Sequence, residues 1–564
     1  MSGLTWRRSA RADAWLSAGL LLLACVSYAW VLRLPLTAID TIPTIAAAEV
    51  DSIAEVPGLF VRELRAGVGG DFAYYRPITL ITYSLDLLLH GWEPLGYHVT
   101  DLILHALATL SVYWMARLAF GCAPGPSLLV SLVFVLHSAA VEVVPAVARR
   151  QEPLLVTGLC LALIGAARLP ARGGWWILVG GTALAMGSVE RGVIVAPVVL
   201  VFLLLRPGVP GGVRGRLRQA LLRSLPCFAV VLGFMAFRNL LYGTDEILFH
   251  PINLLLTPYE LLRVLVYPQQ IIELRVPRTI PGLVGGGLLA AGTAAAGLWV
   301  LLRTRLRWLI AFVFLTVMGY GVLLGIAGQR HSWYTYSVVP VFGLLLVLLG
   351  LEAWGDLRRG KGRAGAAVQL ALCGAVLLPI LISSPVFRDY PGWRVAGELG
   401  ERFTAELQRV DREVPPGVAL VIVNLPAHYM ESDHDYLVTR SAAILWPRSV
   451  EVWSELHGIS RPVVLLGAAE LVGSLDVPEV RFPARGRVEI YFPAGGAPNY
   501  VDPENTFEKS HSLFPRAQGR EFVWPPVDVL GKPFRLFVFD GTRLQPREAP
   551  EALPDGSEQL RDET

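Results

Sequence analysis

The chain has 564 residues, of which 54% are hydrophobic and 17% are charged, against about 25% charged in a typical globular protein. That balance excludes an ordinary soluble protein, and a formal net charge of +3 gives no footprint of a nucleic-acid partner. All five cysteines fall in or beside apolar stretches, so neither a disulfide framework nor a zinc site is implied.

Apolar runs of about 20 residues, the length that crosses a bilayer, recur from Trp15 to Val386. They predict a polytopic α-helical membrane protein. The first run, Ala14 to Val31, follows Arg7, Arg8 and Arg11. Its core is longer than a signal peptide's, and Arg33-Leu34-Pro35-Leu36 offers no small-residue cleavage pattern, so it reads as an uncleaved span. Arginine clusters at 7–11, 117, 168–172, 206–223, 303–307 and 358–363 fix the expected topology. Placing all of them in the cytoplasm requires about eleven spans, with the N-terminus inside and the C-terminus outside. The spans are expected near 14–33, 96–119, 126–145, 152–168, 174–188, 191–206, 224–242, 281–302, 308–327, 335–354 and 365–386.

Residues 34–95 then form a first extracytoplasmic loop. Within it, Pro77 to His90 is too short and polar to span and reads as an interfacial helix. Residues 243–280 form a second, whose segment Tyr259 to Ile272 is expected along the surface or re-entering it. After a membrane domain of residues 1–388 the character changes. Residues 389–545 read as a soluble, extracytoplasmic mixed α/β domain, with helical spacing from Glu398 to Val410. Runs at 418–423, 462–466, 488–492 and 534–539 are β-like. The polar, acidic tail 546–564 is expected to be disordered. No 34-residue helical repeat is present.

Polar residues gather at the outer ends of the predicted spans. His137 and Glu142 close the third, and Arg149, Arg150 and Glu152 open the fourth. Glu190 and Arg191 turn from the fifth to the sixth, and Gln329, Arg330, His331 and Tyr334 follow the ninth. The predicted topology puts all of them on one side with Asp40 and Arg76. Headgroup anchoring accounts for any one such residue, but cations, histidines and carboxylates gathered on one side favour a site.

Two runs stand out among these residues: Tyr75-Arg76-Pro77-Ile78-Thr79-Leu80, and Gly96-Tyr97-His98 continuing through Asp101 to His105-Ala106. They resemble the signature of GT-C glycosyltransferases of the protein O-mannosyltransferase type, those with transmembrane and tetratricopeptide-repeat parts and their repeat-lacking bacterial relatives. His137-Ser138-Ala139-Ala140-Val141-Glu142, Arg150-Gln151-Glu152, Ser188-Val189-Glu190 and Trp333-Tyr334-Thr335-Tyr336 resemble later motifs of that family in the same order. Val423-Asn424-Leu425-Pro426 is similar to a stretch of the bacterial relatives. The chain departs from the family in carrying one carboxylate, Asp40, after the first span, and Ser138, Ala140 and Val189 at motif positions. It also lacks the repeats.

The resemblance implies a GT-C-like fold and an inverting glycosyltransferase. Such an enzyme takes a hexose, mannose in the family, from a polyprenyl-phosphate carrier to a hydroxyl on a protein or envelope glycan. A carboxylate must take the acceptor's proton, and a guanidinium must hold the leaving phosphate. The resemblance assigns Asp40 as base, with Glu142 beside His137 and Glu152 to orient the acceptor or bind a divalent cation, and no metal ligands are committed. Arg76 and Arg330 are the phosphate candidates, and Tyr75, His98, Arg150, Glu190 and Tyr334 complete the expected substrate site. His98 and His105, seven apart, read as packing rather than ligating. No nucleotide-binding glycine loop is expected, because the donor is lipid-borne. A transporter or flippase of a lipid-linked substrate, which would place charges mid-span, and a catalytically silent scaffold are the rival readings. Scarce lysine and the lack of an Asn-x-Ser/Thr sequon fit a bacterial cytoplasmic membrane.

Overall fold

The computed structural model describes residues 10–36, 41–64, 74–207, 212–243, 251–266, 299–327, 332–425, 428–430, 447–459, 461–466, 470–472, 477, 479–484, 487–491, 520–522 and 533–547. The chain divides into two compact units. One holds residues 1–32, 47–145 and 149–389, the other residues 33–46, 146–148 and 390–564.

The helices up to residue 389 are α1 (Ala10–Ser27), α2 (Thr41–Ala47), α3 (Pro77–His90), α4 (Pro94–Leu118), α5 (Pro124–Leu136), α6 (Ala139–Val143) and α7 (Gln151–Ala167). There follow α8 (Arg172–Ser188), α9 (Val195–Leu205), α10 (Val213–Tyr242), α11 (Asn253–Val266), α12 (Arg307–Ile326), α13 (Val339–Arg358) and α14 (Arg363–Ile382). Five of them, α4, α10, α12, α13 and α14, are long and apolar enough to cross a membrane. The protein is a mostly helical integral membrane protein. Ten of the predicted spans fall on described helices, while most of the eighth, 281–298, lies outside the described residues.

Packing in this unit rests on small residues and paired charges. Helices α7 and α8 approach so closely that a Cβ on Gly158 would lie 2.6 Å from the Gly181 carbonyl oxygen, and one on Gly165 2.4 Å from the Leu178 nitrogen. Glycine lets the two backbones touch, as in other membrane helix pairs. Gly321 and Gly325 of α12 make the same room for Pro258 and Asn253 of α11. Where α1 meets α4, Asp13 takes hydrogen bonds from Tyr113 Oη (2.5 Å) and Arg117 Nε (2.8 Å), so a buried carboxylate has its charge and lone pairs answered.

The predicted third span is broken. Helix α5 stops at Leu136, and His137 is extended (φ −71°, ψ 128°). The His137 Nδ1 accepts the Ala139 N–H at 3.1 Å, satisfying one of the donors a helix start leaves over, and α6 begins. The predicted sixth span opens instead as a 3-10 turn, Glu190–Ile194, before α9.

The second unit carries α15 (Pro391–Glu413) and α16 (Pro447–Leu456) with strands β1 (Ala419–Val423), β2 (His428–Met430), β3 (Val463–Leu466), β4 (Glu470–Val472), β5 (Glu479–Ala484), β6 (Arg487–Tyr491), β7 (Arg520–Phe522), β8 (Phe534–Phe539) and β9 (Leu544–Arg547). The main sheet has the order β3-β1-β8-β9. Strand β1 pairs parallel with both neighbours, Val421 facing Val464 and Leu536. Its five residues are all buried, which is why the run reads as uniformly apolar. The expected runs 418–423, 462–466, 488–492 and 534–539 correspond to β1, β3, β6 and β8.

Strands β8 and β9 form a hairpin turned by Asp540-Gly541. There Asp540 Oδ1 accepts from the Thr542 and Arg543 N–H groups at 2.8 and 2.7 Å. Pro546 and Arg547, expected to begin the disordered tail, are instead paired in β9, opposite Phe537 and Leu536. The rest of the tail, 548–564, lies outside the described residues. Helix α15 buries Trp393, Phe403, Leu407 and Val410 on one face. Arg461 closes its C-terminal end by donating to the Asp411 and Val414 carbonyls at 2.8 and 3.0 Å.

Candidate functional site

Three of the charged groups among the described residues of the membrane unit involve α3, α7 and the turns beside them, and each has a distinct state of satisfaction. The deepest centres on Arg150, whose side chain is 0% exposed. Its Nη1 donates to Asp86 Oδ2 at 2.6 Å and its Nε to Asp101 Oδ1 at 2.9 Å. Its guanidinium carbon lies 4.3 Å from the centre of the Tyr83 ring. Thr100 Oγ1 donates to the other Asp86 oxygen at 2.7 Å. Helices α3 and α4 supply the two carboxylates, and Arg150 caps α7. The triad therefore ties three helices together and leaves the Arg150 guanidinium committed to protein partners.

The second group centres on Glu152, the second residue of α7 and 0% exposed. Arg191 pairs with Glu152 and also donates to Tyr320 Oη at 2.6 Å. Ser337 Oγ donates to Glu152 Oε2 at 2.9 Å. The Tyr334 ring lies 4.1 Å from the Arg191 guanidinium carbon. Tyr334 and Ser337 belong to the 3-10 turn Ser332–Ser337. That turn is held from behind by Tyr336 Oη, 2.8 Å from His105 Nδ1 of α4.

The third group is the most open. Arg76 Nε donates to Glu190 Oε2 at 2.8 Å, with side chains 15% and 26% exposed. Local sequence places this pair. Pro77 starts α3 with its φ already helical, and Thr79 Oγ1 donates to the Ser188 carbonyl at 2.8 Å. Gly187 leaves room for Ile78, since a Cβ there would sit 2.6 Å from Ile78 Cδ1. The start of α3 is thereby pinned to the end of α8, and Arg76 meets Glu190.

Burial works against the Arg76 charge, but the Glu190 carboxylate more than offsets it and raises the guanidinium above its ordinary value. Arg191 repels Arg76, and Arg76 also acts electrostatically on Tyr334. The second and third groups are therefore neighbours. Glu190 Oε1 is buried without a hydrogen-bond partner among the described residues. No hydrogen bond to a described residue engages the Arg76 Nη groups either. An unpaired carboxylate oxygen and unused guanidinium donors at one place are what an incoming polar ligand requires.

Other sequence candidates have structural partners. Tyr75 is buried, donates to the Phe60 carbonyl at 2.8 Å and packs its ring 4.8 Å from that of Phe234. His98 is fully buried. His137, with Nδ1 accepting, has its Nε2 3.4 Å from the Leu265 carbonyl. Glu142 is buried on α6, and its backbone carbonyl takes a 2.5 Å hydrogen bond from Arg149, whose guanidinium carbon lies 3.7 Å from the centre of the Trp333 ring. Asp40 and Arg330 lie outside the described residues.

Arg191, grouped with Glu190 in the sequence but given no role there, is central to the second group, and Tyr320 and Ser337 join it without having stood out in the sequence. Tyr320 sits within an apolar run and carried no signal. Among the described residues no three His, Cys, Asp or Glu side chains gather as metal ligands. The carboxylates of the two outer groups are held by guanidinium groups instead, so no step is derived through a cation.

No family model matches the chain. Over 159 residues it is 29% identical to the protein O-mannosyl-transferase Tmtc3 of Drosophila melanogaster, covering 23% of this chain and 17% of that protein. Over 100 residues it is 32% identical to the protein O-mannosyl-transferase F38B6.6 of Caenorhabditis elegans, covering 16% and 13%. The chain matches less than a fifth of the length of these curated relatives. Among solved structures it aligns with ArnT from Cupriavidus metallidurans bound to undecaprenyl phosphate at 13% identity and TM-score 0.35, over 79% of this chain and 89% of that one. It also aligns with the archaeal oligosaccharyltransferase AglB from Archaeoglobus fulgidus, in complex with an inhibitory peptide and a dolichol-phosphate. There the identity is 13% and the TM-score 0.39, over 86% and 75% of the two chains.

Proposed function

We propose that the protein is an inverting glycosyltransferase that takes a hexose from a polyprenyl-phosphate carrier to a hydroxyl acceptor on a protein or envelope glycan, at the extracytoplasmic face. The observation that carries this reading is the outer cluster of Arg76, Glu190, Arg191 and Tyr334, with donors on Arg76 and an oxygen on Glu190 left over. The partial sequence similarity to protein O-mannosyl-transferases supports it.

In this reading Arg76 takes the carrier phosphate through its Nη groups, and Arg191 adds positive potential as charge builds on the departing oxygen. Glu190 orients Arg76 and offers its second oxygen to a sugar hydroxyl. Asp40, assigned by the sequence pattern, removes the acceptor's proton as the acceptor oxygen attacks the anomeric carbon. The bond to phosphate breaks as the new glycosidic bond forms, so one displacement inverts the centre. Arg150 keeps α3, α4 and α7 in register and does not touch substrate.

The test is transfer of labelled hexose from synthetic polyprenyl-phosphate sugar by purified protein in proteoliposomes, comparing wild type with Arg76→Gln and Asp40→Asn. Loss of transfer in both variants, with folding kept, supports the reading. Unchanged transfer in Arg76→Gln removes Arg76 from the site, and movement of the lipid-linked sugar across the vesicle wall without transfer makes the protein a flippase.

A further inference from the structure

A second concentration of charge lies at the opposite end of α8 from Glu190. Helix α8 begins at Arg172, after a short turn from Arg168, which closes α7. Arg206 follows α9 and donates from Nη1 to the Ala167 carbonyl at 3.0 Å, which brings it to the same end. Arg223 of α10 is near enough to repel it. Midway along, Thr182 Oγ1 of α8 lies 3.4 Å from Cys227 Sγ of α10. Counting back at about 1.5 Å per residue, Arg172 lies about 15 Å below Thr182. Arg218 and Arg214 lie about 14 and 20 Å below Cys227. All of these guanidinium groups therefore share one end of the bundle.

Among the described residues nothing acidic answers them. The sequence has no Asp or Glu from Pro153 to Val189 or from Arg191 to Gly243, and no carboxylate of a described residue pairs with Arg168, Arg172, Arg206, Arg214, Arg218 or Arg223. Apolar surface stands beside the charge: Trp176 is 77% exposed, Leu222 53% and Leu225 55%. Helix α10 has 30 residues, about 45 Å at 1.5 Å per residue, whereas a hydrocarbon core is about 30 Å thick. Its arginine-bearing first third therefore stands at headgroup depth when the rest spans.

We propose that this end of α7–α10 is a binding site for anionic phospholipid, the guanidinium groups holding the phosphate headgroups and the flanking Trp and Leu side chains the acyl chains. A free phosphate would need only the cations. The apolar flank beside them is what selects a lipid. The site is independent of the proposed catalytic chemistry.

The experiment uses the full chain in nanodiscs of phosphatidylcholine doped with phosphatidylglycerol. Retained lipid is read by native mass spectrometry and thermal unfolding by intrinsic fluorescence. Wild type should retain phosphatidylglycerol over phosphatidylcholine and unfold at higher temperature with it, and inorganic phosphate should do neither. Changing Arg172, Arg214, Arg218 and Arg223 together to glutamine should abolish the preference. Single changes of Arg214 or Arg218, both exposed, should each weaken it about fivefold and serve if the fourfold variant fails to fold. A control change of Arg394, Arg402 and Arg412 on α15 to glutamine should leave it intact. Equal retention of both lipids by wild type, an equal shift with inorganic phosphate, or full retention by the single and fourfold variants would overturn the proposal.

Discussion

Replacing Arg150 by glutamine should be among the most damaging single changes in the membrane unit. The guanidinium is fully buried, and Asp86 and Asp101 are 5% and 4% exposed. Removing it strands two carboxylates that are almost wholly buried. Breaking a buried ion pair by deleting one partner costs about 3–5 kcal/mol, a large share of the roughly 5–15 kcal/mol that holds a domain folded. Large domains move about 2–4 °C per kcal/mol, so unfolding followed by tryptophan fluorescence in detergent should shift down by about 6 °C or more. Lysine should recover only part of the loss, because an ammonium cannot span both carboxylates as the fork does. Adding Asp86→Asn and Asp101→Asn to Arg150→Gln should recover most of it, since the stranded charges are gone. A glutamine variant as stable as wild type, or a triple variant no better than the single one, would refute this account of the triad.

Glu190→Gln keeps the side-chain shape but loses the charge that fixes Arg76. Sugar transfer should fall at least about tenfold while unfolding temperature holds, because the pair is partly exposed. Gly158→Ala should destabilise by about 1–3 kcal/mol through overpacking, since its Cβ would strike the Gly181 carbonyl. Gly180→Ala, on the open side of the facing helix α8 with nothing within 4 Å, should be tolerated, and thermal unfolding of both variants checks the contrast.

In the second unit, burial tends to raise the Asp540 pKa, but hydrogen bonds from Thr542, Arg543 and Gln545 outweigh it and hold it down to about 2. A folded-state pKa below the unfolded one contributes stability above about pH 4 that is lost as pH falls toward 2. Asp540→Asn should therefore destabilise at neutral pH, with the gap to wild type closing on acidification, as followed by circular dichroism of the full chain.

Much of the helical layout was legible because bilayer-length apolar runs leave little choice. The exceptions have local causes. Residues 126–145 read as one span because Ala139 to Val144 are apolar apart from Glu142, and hydropathy cannot register that the His137 imidazole takes a backbone donor and turns the chain. Helix α10 starts eleven residues before its predicted bound. Arg214 to Arg223 look like a loop to a hydropathy window, yet arginine and leucine are good helix formers. Strands β2, β4 and β7 have three residues each, too few to show alternation.

In the site, charge was visible and pairing was not. Nothing in the spacing says that Arg150 faces Asp86 and Asp101 across two other helices, or that Arg76 turns to Glu190, 114 residues away. Those choices follow from how Thr79 and Gly187 dock α3 on α8.

The triad also sets a problem of timing during biogenesis. Asp101 sits in α4, and its cation lies 49 residues later, so the ribosome releases the acid first. At about 5–20 residues per second, the carboxylate waits roughly 2–10 s for Arg150 to be made. An unpaired aspartate costs about 2.5–3.5 kcal/mol at the centre of an inserting helix, and Asp101, the eighth of the 25 residues of α4, carries part of that cost. Helix α4 should therefore linger at the translocon's lateral gate, or keep its carboxyl protonated, until α7 arrives to release it into lipid.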